Sequence, residues 1–233
     1  MKRIWTLVPV LAVIIVLLAI PRLVLLPKVV NGLESALADA LHTEEVNLSI
    51  TAPWGWELLL GRIPSLSFSA RRAQVEGVEI SRVEVQGEEL LFEPWLLFRQ
   101  GELSLTRVSE LTGSLVITED ALNEFFWREV DPSRLLMLEV WPHGLAVAGT
   151  VNIWNMDVSV RILGDLVVQD GSTLRFVVKD LAVQDTRIPP LLLEILKESY
   201  VFAVELGEFP LPLELRAVEH LEHEIRISIG GQP

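Results

Sequence analysis

Hydrophobic positions form one long uninterrupted segment at the start of the chain. Residues Ile4–Leu26 are large apolar residues or Ala, except at Thr6, Pro9, Pro21 and Arg22. As a helix, these 23 residues would extend about 35 Å, which exceeds the ~30 Å hydrocarbon core of a bilayer. The pattern therefore predicts a membrane span, with residues 1–27 as a signal anchor.

A cleaved secretory signal is the alternative interpretation, because Lys2 and Arg3 supply the charged start that such signals have. Signal peptides normally carry an apolar core of about 7–15 residues followed by a small-x-small cleavage site. Here the apolar run continues through Ile20 without a convincing site. We therefore expect an uncleaved single-pass anchor in the cell membrane with the domain on the extracytoplasmic side, and a cleaved, secreted form as the alternative.

Helical spacing of apolar residues recurs at three places in residues 28–233, which we expect to form a single domain. The first is Pro27–Leu41, an amphipathic stretch that continues from the anchor. The second is Glu119–Arg128, where Thr118 can act as the N-cap. The third is Pro189–Tyr200, which carries Leu and Ile around almost its whole circumference.

Alternation of apolar and polar residues dominates elsewhere and predicts strands with one buried face. The Asp170-Gly171 pair between two such runs predicts a tight hairpin. Since the strands occur in groups between helices, the order predicts an α+β fold with an antiparallel sheet. The alternating runs are Ser65–Ala70, Arg82–Gln86, Leu103–Thr106, Trp154–Ile162, Leu211–Ala217 and Ile225–Ile229.

Composition and charge exclude several functional classes. The chain has no Cys, so disulfides, zinc–thiolate sites, iron–sulfur clusters and cysteine nucleophiles are excluded. Its formal charge is -13, and the charged residues before Glu34 are all basic. The 15 basic and 32 acidic residues after Lys28 give that part a charge of -17. We therefore expect no nucleic-acid partner, because such a domain repels phosphates.

Catalytic motifs are missing from the sequence. No Ser lies in a Gly-x-Ser-x-Gly elbow, and no glycine-rich loop precedes a Lys. The segment Glu219–Glu224 combines His220 and His223 with three carboxylates, but its spacing is not that of a metalloprotease helix. A polar turn between two strands explains this cluster more simply. We therefore expect no metal, no cofactor and no enzymatic activity.

Tryptophans occur in two segments that look like loops. Trp54 and Trp56 flank Gly55 after a proline, and Trp95 follows Pro94. Burial beneath a loop is the favoured interpretation, because Trp is usually well buried. Exposure at a membrane or a ligand entrance is the alternative, since an indole suits a half-wet interface. On that alternative, Trp54 and Trp56 are candidate membrane contacts.

Four motifs in order resemble the LmeA-like phospholipid-binding family. They are Pro53 with Leu58–Ile63, then Val75–Val78, then Gly113–Leu122, and finally Phe209–Leu213 with Ile225–Ile229. The resemblance implies a curved antiparallel sheet wrapped around helices, as in the tubular lipid-binding proteins related to the bactericidal/permeability-increasing protein. It also implies an apolar groove for the acyl chains of a phospholipid or another lipid.

The expected function is therefore that of a membrane-tethered lipid-binding protein, acting in lipid transfer or cell-envelope assembly. A structural or adaptor protein with a filled core and an unknown protein partner is one alternative, and a hydrolase of envelope lipids or glycans is another. If a groove exists, we expect it between the sheet and the second and third predicted helices. The residues predicted to line it are Phe68, Leu122, Phe126, Leu192, Ile195 and Leu196.

Overall fold

The structure is a computed structural model, and it describes most of the chain after the apolar segment. The predicted anchor, residues 1–27, lies outside the described residues apart from Leu23, Leu26 and Pro27, and the predicted helix Pro189–Tyr200 lies wholly outside them. Within the part that is described, no helix is long and apolar enough to cross a membrane. The described residues are 23, 26–53, 55–100, 105–107, 110–153, 156–183, 203–205 and 213–231.

Four helices lie in the described part of the chain. The first, α1, confirms the amphipathic helix, although Ala36 and Ala40 are exposed, so the buried stripe is narrower than expected. The short helices α2 and α3 were not predicted, because four and seven residues show no clear helical period. The helices are α1 (Leu26–Leu41), α2 (Trp56–Leu59), α3 (Pro94–Gln100) and α4 (Glu119–Glu129).

The N-cap predicted for α4 is confirmed. The Thr118 hydroxyl accepts a hydrogen bond from the Ala121 N–H at 3.3 Å, and Glu119 and Asp120 occupy the first turn. Leu122 and Phe126 lie on the buried face, as predicted.

Every strand pairing among the described residues is antiparallel, which confirms the α+β class, but the strands form two sheets where a single sheet was predicted. The strands are β1 (Val46–Thr51), β2 (Arg62–Val75), β3 (Val78–Phe92), β4 (Leu105–Arg107), β5 (Glu110–Thr118), β6 (Leu136–Trp141), β7 (Gly144–Ile153), β8 (Met156–Gln169), β9 (Thr173–Val183), β10 (Ala203–Glu205), β11 (Leu213–His220) and β12 (Glu224–Gly231). The first sheet has the order β1-β2-β3-β5-β12-β11, with β4 beside β3, and the second has the order β10-β9-β8-β7-β6.

Within the described residues, most of the predicted strand faces and turns are confirmed. Parts of three predicted runs lie outside them, namely Leu103, Ser104, Trp154, Asn155, Leu211 and Pro212. Asp170 and Gly171 both adopt positive φ in the turn between β8 and β9, which confirms the hairpin. In β11, however, the register with β12 shifts between Leu215 and Ala217. The alternation breaks there, so Ala217 is exposed and the neighbouring Val218 is half-buried, opposite to the prediction.

The two sheets meet along the free edge of β8. The Leu215 N–H donates to the Gly171 carbonyl at 2.7 Å, and the Leu166 N–H donates to Nε2 of His220 at 3.3 Å. These contacts place β11 beside the second half of β8, where β7 no longer pairs with it. As a result, the apolar faces of both sheets contribute to one connected core.

Helix α4 joins the sheets a second time by covering the open edge of β6. The Val140 N–H donates to Oε2 of Glu119 at 2.7 Å. The Asn123 side chain makes a double contact, accepting from the Leu138 N–H at 2.7 Å and donating to the Leu138 carbonyl at 2.9 Å. One helical side chain therefore satisfies both backbone groups of an edge residue.

The same arrangement continues to the end of the helix. The Trp127 indole N–H donates to the Leu136 carbonyl at 2.6 Å, and the Leu136 N–H donates to Oδ2 of Asp131 at 2.7 Å. Side chains four apart on a helix are separated by about 6 Å, and alternate residues of a strand by about 6.6 Å. Because these repeats nearly match, one helix face can pair with a whole strand edge.

Candidate functional site

Three of the predicted groove-lining residues lie in the shared core. Phe68 on β2 and both Leu122 and Phe126 on α4 belong to one cluster, and each is at most 1% exposed. The structure therefore brings these three together as interior residues. The other three, Leu192, Ile195 and Leu196, lie outside the described residues.

The interior contains very few polar groups. Among the described residues, only Asn123 and Asp131 are buried polar or charged side chains. Both hydrogen bond to the edge of β6, so their polar atoms already have partners. The other buried residues in this part of the chain are apolar, so a ligand placed among them would meet mainly apolar side chains.

The inner face of the second sheet continues this apolar lining. Val147, Ile162, Leu166 and Phe176 are buried on it. Gly164 lies among them, and a Cβ added there would come within 2.6 Å of the Phe176 ring. Because Gly164 has no side chain, the Phe176 ring can pack directly against the backbone of β8.

The connection between β9 and β10 starts and ends at distant points of this sheet. β9 ends at Val183, opposite Val160, whereas β10 begins at Ala203, opposite Arg175. The eight residue steps from Arg175 to Val183 correspond to about 26 Å along the strand. The predicted groove residues on Pro189–Tyr200 belong to this connection.

The second sheet carries two open depressions. One encloses about 480 Å³ and is lined by Trp141 and Leu163 together with charged residues. The charged side chains near it are paired, Arg161 with Glu139 at 3.1 Å and Lys179 with Asp165. The other encloses about 500 Å³ and has a mainly aliphatic lining, Val167, Val168, Val177 and Val178 with Phe176.

A polar depression of about 670 Å³ lies on the first sheet. Arg71 and Arg82 are direct cross-strand partners within it. Glu44, Glu45 and Glu84 line the same depression, so both signs of charge are present. The mixture gives this surface no clear selectivity for an anion or a cation.

The tryptophans beside α2 and α3 are exposed. Trp95 is 67% exposed and Trp56 is 40% exposed, while the neighbouring Leu60 is 76% exposed. The favoured expectation of burial beneath a loop is therefore wrong for Trp56 and Trp95, because α2 and α3 present these side chains to solvent. Trp54, the other candidate membrane contact, lies outside the described residues.

The histidines of the Glu219–Glu224 segment point to separate partners. His220 is half-buried and accepts the Leu166 N–H described above. Burial lowers the pKa of His220 below its ordinary value; nearby Asp165 opposes this shift and Lys179 adds to it. His223 lies in the turn, with Nδ1 3.3 Å from the Glu119 carboxylate. In the described portion of the chain, no group of three or more His, Cys, Asp or Glu side chains could hold a metal ion.

Sequence reasoning did not find the helix-to-strand-edge pairing of α4. The signal was present as polar residues at every fourth position, Glu119, Asn123, Trp127 and Asp131. Spacing alone does not say what such a face contacts, because a solvated helix face shows the same pattern.

Comparison with known families gives one result over nearly the whole chain. The family model described as LmeA-like phospholipid-binding matches residues 22–229. Neither a search of curated proteins nor a search of solved structures returns a significant match. The match includes α1, both sheets and α4, which pairs with the edge of β6. It therefore covers the whole described fold rather than one motif.

Proposed function

Because the chain belongs to the LmeA-like phospholipid-binding family, we propose that it binds the acyl chains of a phospholipid against the apolar inner face of its second sheet. The ligand lies where β7, β8 and β9 present aliphatic residues, and the predicted helix Pro189–Tyr200 supplies the opposite wall through Leu192, Ile195 and Leu196. The phospholipid headgroup stays at the surface, in contact with water.

The apolar interior is the observation that carries this proposal. The described core reaches from α1 through both sheets, and its two buried polar side chains are already hydrogen bonded to β6. Transfer of an acyl chain of about sixteen carbons from water, at ~0.8 kcal/mol per methylene, releases roughly 12 kcal/mol before ordering costs. Burial alone therefore suffices for binding, without a charged clamp.

We further propose that the protein is tethered to the membrane, with Ile4–Leu26 as a single-pass anchor and the acidic domain on the extracytoplasmic side. The length of this apolar segment and its missing cleavage site support the tether. A tethered domain that shields acyl chains suits lipid transfer within the cell envelope or envelope assembly, and it requires no catalytic group.

A structural or adaptor role with a filled core is the second candidate. The observation that favours it is the near-complete burial of Phe68, Leu122 and Phe126, which are packed by protein atoms. On this alternative, protein side chains also fill the space against the inner face of the second sheet, and the protein acts through a protein partner.

Lipid analysis of the natively purified full chain distinguishes the two candidates. We expect phospholipid to co-purify with the parent chain, and Leu192→Trp and Ile195→Trp to lose this lipid. Because loss of a ligand by itself lowers the melting temperature, both variants should melt no lower than the delipidated parent chain. The matched control is Met137→Trp, at an exposed position of β6 that lines neither depression of the second sheet, which should keep its lipid.

The filled-core alternative makes the opposite prediction. The parent chain would then contain no lipid, and both inner Trp substitutions would destabilise it by about 1–3 kcal/mol through overpacking. That combination would overturn the lipid-binding proposal.

A further inference from the structure

Large apolar side chains are exposed together at one end of the first sheet. Trp56 and Leu59 belong to α2, Leu60 follows it, and Trp95 lies on α3; all four are exposed. Apolar side chains on a protein surface mark a contact when they are contiguous rather than scattered. We call these four residues the aromatic end.

The backbone fixes α2 and α3 side by side at this end. Gly61 follows α2 with a φ of 71°, and its carbonyl accepts the Phe92 N–H at 2.8 Å. A Cβ at Gly61 would lie 2.3 Å from the Phe92 carbonyl oxygen and 3.0 Å from Cδ of Pro94. Because only glycine allows this approach, the two short helices present their exposed residues as one surface.

Two arginines accompany the aromatic end. The Arg99 guanidinium lies 5.4 Å from the centroid of the Trp95 ring, and Arg62 pairs with Glu89 at 2.5 Å. An indole with a stacked guanidinium is suited to the headgroup layer of a bilayer, where the ring contacts acyl chains and the cation reaches phosphate.

The direction of α1 relates the aromatic end to the predicted anchor. Four residues separate the end of α1 at Leu41 from the start of β1 at Val46, and α1 packs against β1. A connection this short makes the helix run antiparallel to the strand, and the ~24 Å of α1 matches the ~20 Å of β1. The N-terminus of α1 therefore lies towards the end of β1 at Thr51, which is the side occupied by α2 and α3.

The geometry points to a specific orientation on the membrane: we propose that the aromatic end docks on the surface of a zwitterionic lipid bilayer. This inference rests on the tether in the proposed function, because the anchor would leave the domain at the same end. Glu57 and Glu93 lie beside the exposed residues, and the domain is acidic overall, so apolar insertion rather than attraction to anionic lipid drives docking.

Single-cysteine labelling of the full chain tests this orientation, because the natural sequence contains no Cys. Leu60→Cys and Met137→Cys would each be labelled with an environment-sensitive fluorophore and reconstituted in phosphatidylcholine vesicles. Met137 is the matched control, since it is an exposed apolar residue on the second sheet. We expect nitroxide-labelled lipid to quench the label at 60 strongly, and aqueous iodide to quench mainly the label at 137.

Each other outcome overturns the proposal in a recognisable way. If the chain floats with vesicles but iodide reaches both labels equally, docking is wrong while the tether stands. If the label at 60 is shielded from iodide without nitroxide quenching, a protein or a second copy covers the surface instead. If the chain does not float with vesicles, the proposed tether is wrong, and the docking proposal that rests on it is wrong as well. Lipid co-purification is measured separately, so lipid binding can succeed or fail independently of these outcomes.

Discussion

At the scale of single residues, His220 has a role that its sequence neighbours do not reveal. Its imidazole accepts the Leu166 N–H at the junction between the sheets, so it contributes there in the neutral form. Burial lowers the pKa of His220, Asp165 acts against this shift, and Lys179 acts with it. The acidic, histidine-containing segment is therefore only partly a solvated turn, because one of its two histidines lies in the interface.

Protonation of His220 should weaken the folded protein. Since its pKa is lower in the folded state than in the unfolded chain, the unfolded chain binds more protons as the pH falls below about 6.5. The free energy of unfolding should therefore decrease through that window, and the decrease should end below the folded pKa. We expect His220→Gln, which keeps an acceptor but does not titrate, to lose this component of the pH dependence.

Urea unfolding of the parent and His220→Gln at about pH 7.5 and about pH 5 measures this component, because only one of the two chains carries the titrating group. His143→Gln is the matched control, since His143 is exposed. Equal pH dependence in the parent and His220→Gln would show that the junction does not depend on a neutral imidazole.

At the scale of elements, α4 acts as the missing neighbour of an edge strand. β6 would otherwise leave the N–H and C=O groups of alternate residues unpaired, which is costly where the groups are buried. The helix, together with Asp131 two residues beyond its end, supplies partners from side chains at every fourth position. The Val140 carbonyl accepts from the His223 N–H instead. The pairing closes the sheet edge without another strand, and it fixes α4 against the second sheet.

Asn123→Ala should therefore destabilise the protein more than an ordinary surface substitution. The change leaves the buried N–H and C=O of Leu138 without partners, and we expect a loss of about 2–3 kcal/mol in the free energy of unfolding. Amide exchange at Leu138 should accelerate more than at Met137, whose backbone pairs with β7.

Asn47→Ala provides the control for this substitution. Asn47 is an exposed asparagine on β1, and its loss should change stability by less than about 0.5 kcal/mol. A similar loss in the free energy of unfolding for the two asparagine substitutions would contradict the special role of the Asn123 pairing.

At the scale of the whole molecule, charge and apolar surface are segregated. The chain after Lys28 carries a formal charge of -17, while the aromatic end gathers exposed Trp and Leu side chains at one end of the first sheet. An acidic body is repelled by an anionic membrane, and this repulsion is screened over a Debye length of about 10 Å at 0.1 M salt. The proposed docking should therefore depend on lipid charge.

Replacing part of the phosphatidylcholine with phosphatidylglycerol should reduce insertion of the label at residue 60. The physical cause is repulsion of the acidic domain, so added salt should restore the insertion. Nitroxide quenching at low and high salt measures the effect, with phosphatidylcholine vesicles as the control. Stronger insertion into anionic vesicles would contradict the proposed balance of forces and would indicate that Arg62 and Arg99 dominate.

Several features could not be predicted because they depend on contacts far apart in sequence. Trp95 was expected to be buried, yet its exposure depends on how Gly61 and Pro94 bring α2 and α3 together. Ala217 was expected on the inner face, but a register shift in β11 turns Val218 inwards instead. Neither the register of a neighbouring strand nor the approach of a distant loop is encoded in local periodicity.

Local sequence patterns were enough to predict the Thr118 cap, the Asp170-Gly171 hairpin and the alternating faces of the strands. These follow from short-range steric and hydrogen-bonding preferences, which act within a few residues. The contact between β8 and β11, the pairing of α4 with β6 and the place of His220 at the junction became visible only in the folded chain. Those outcomes depend on which buried polar groups find partners after distant segments pack, and a linear pattern of residues does not contain that information.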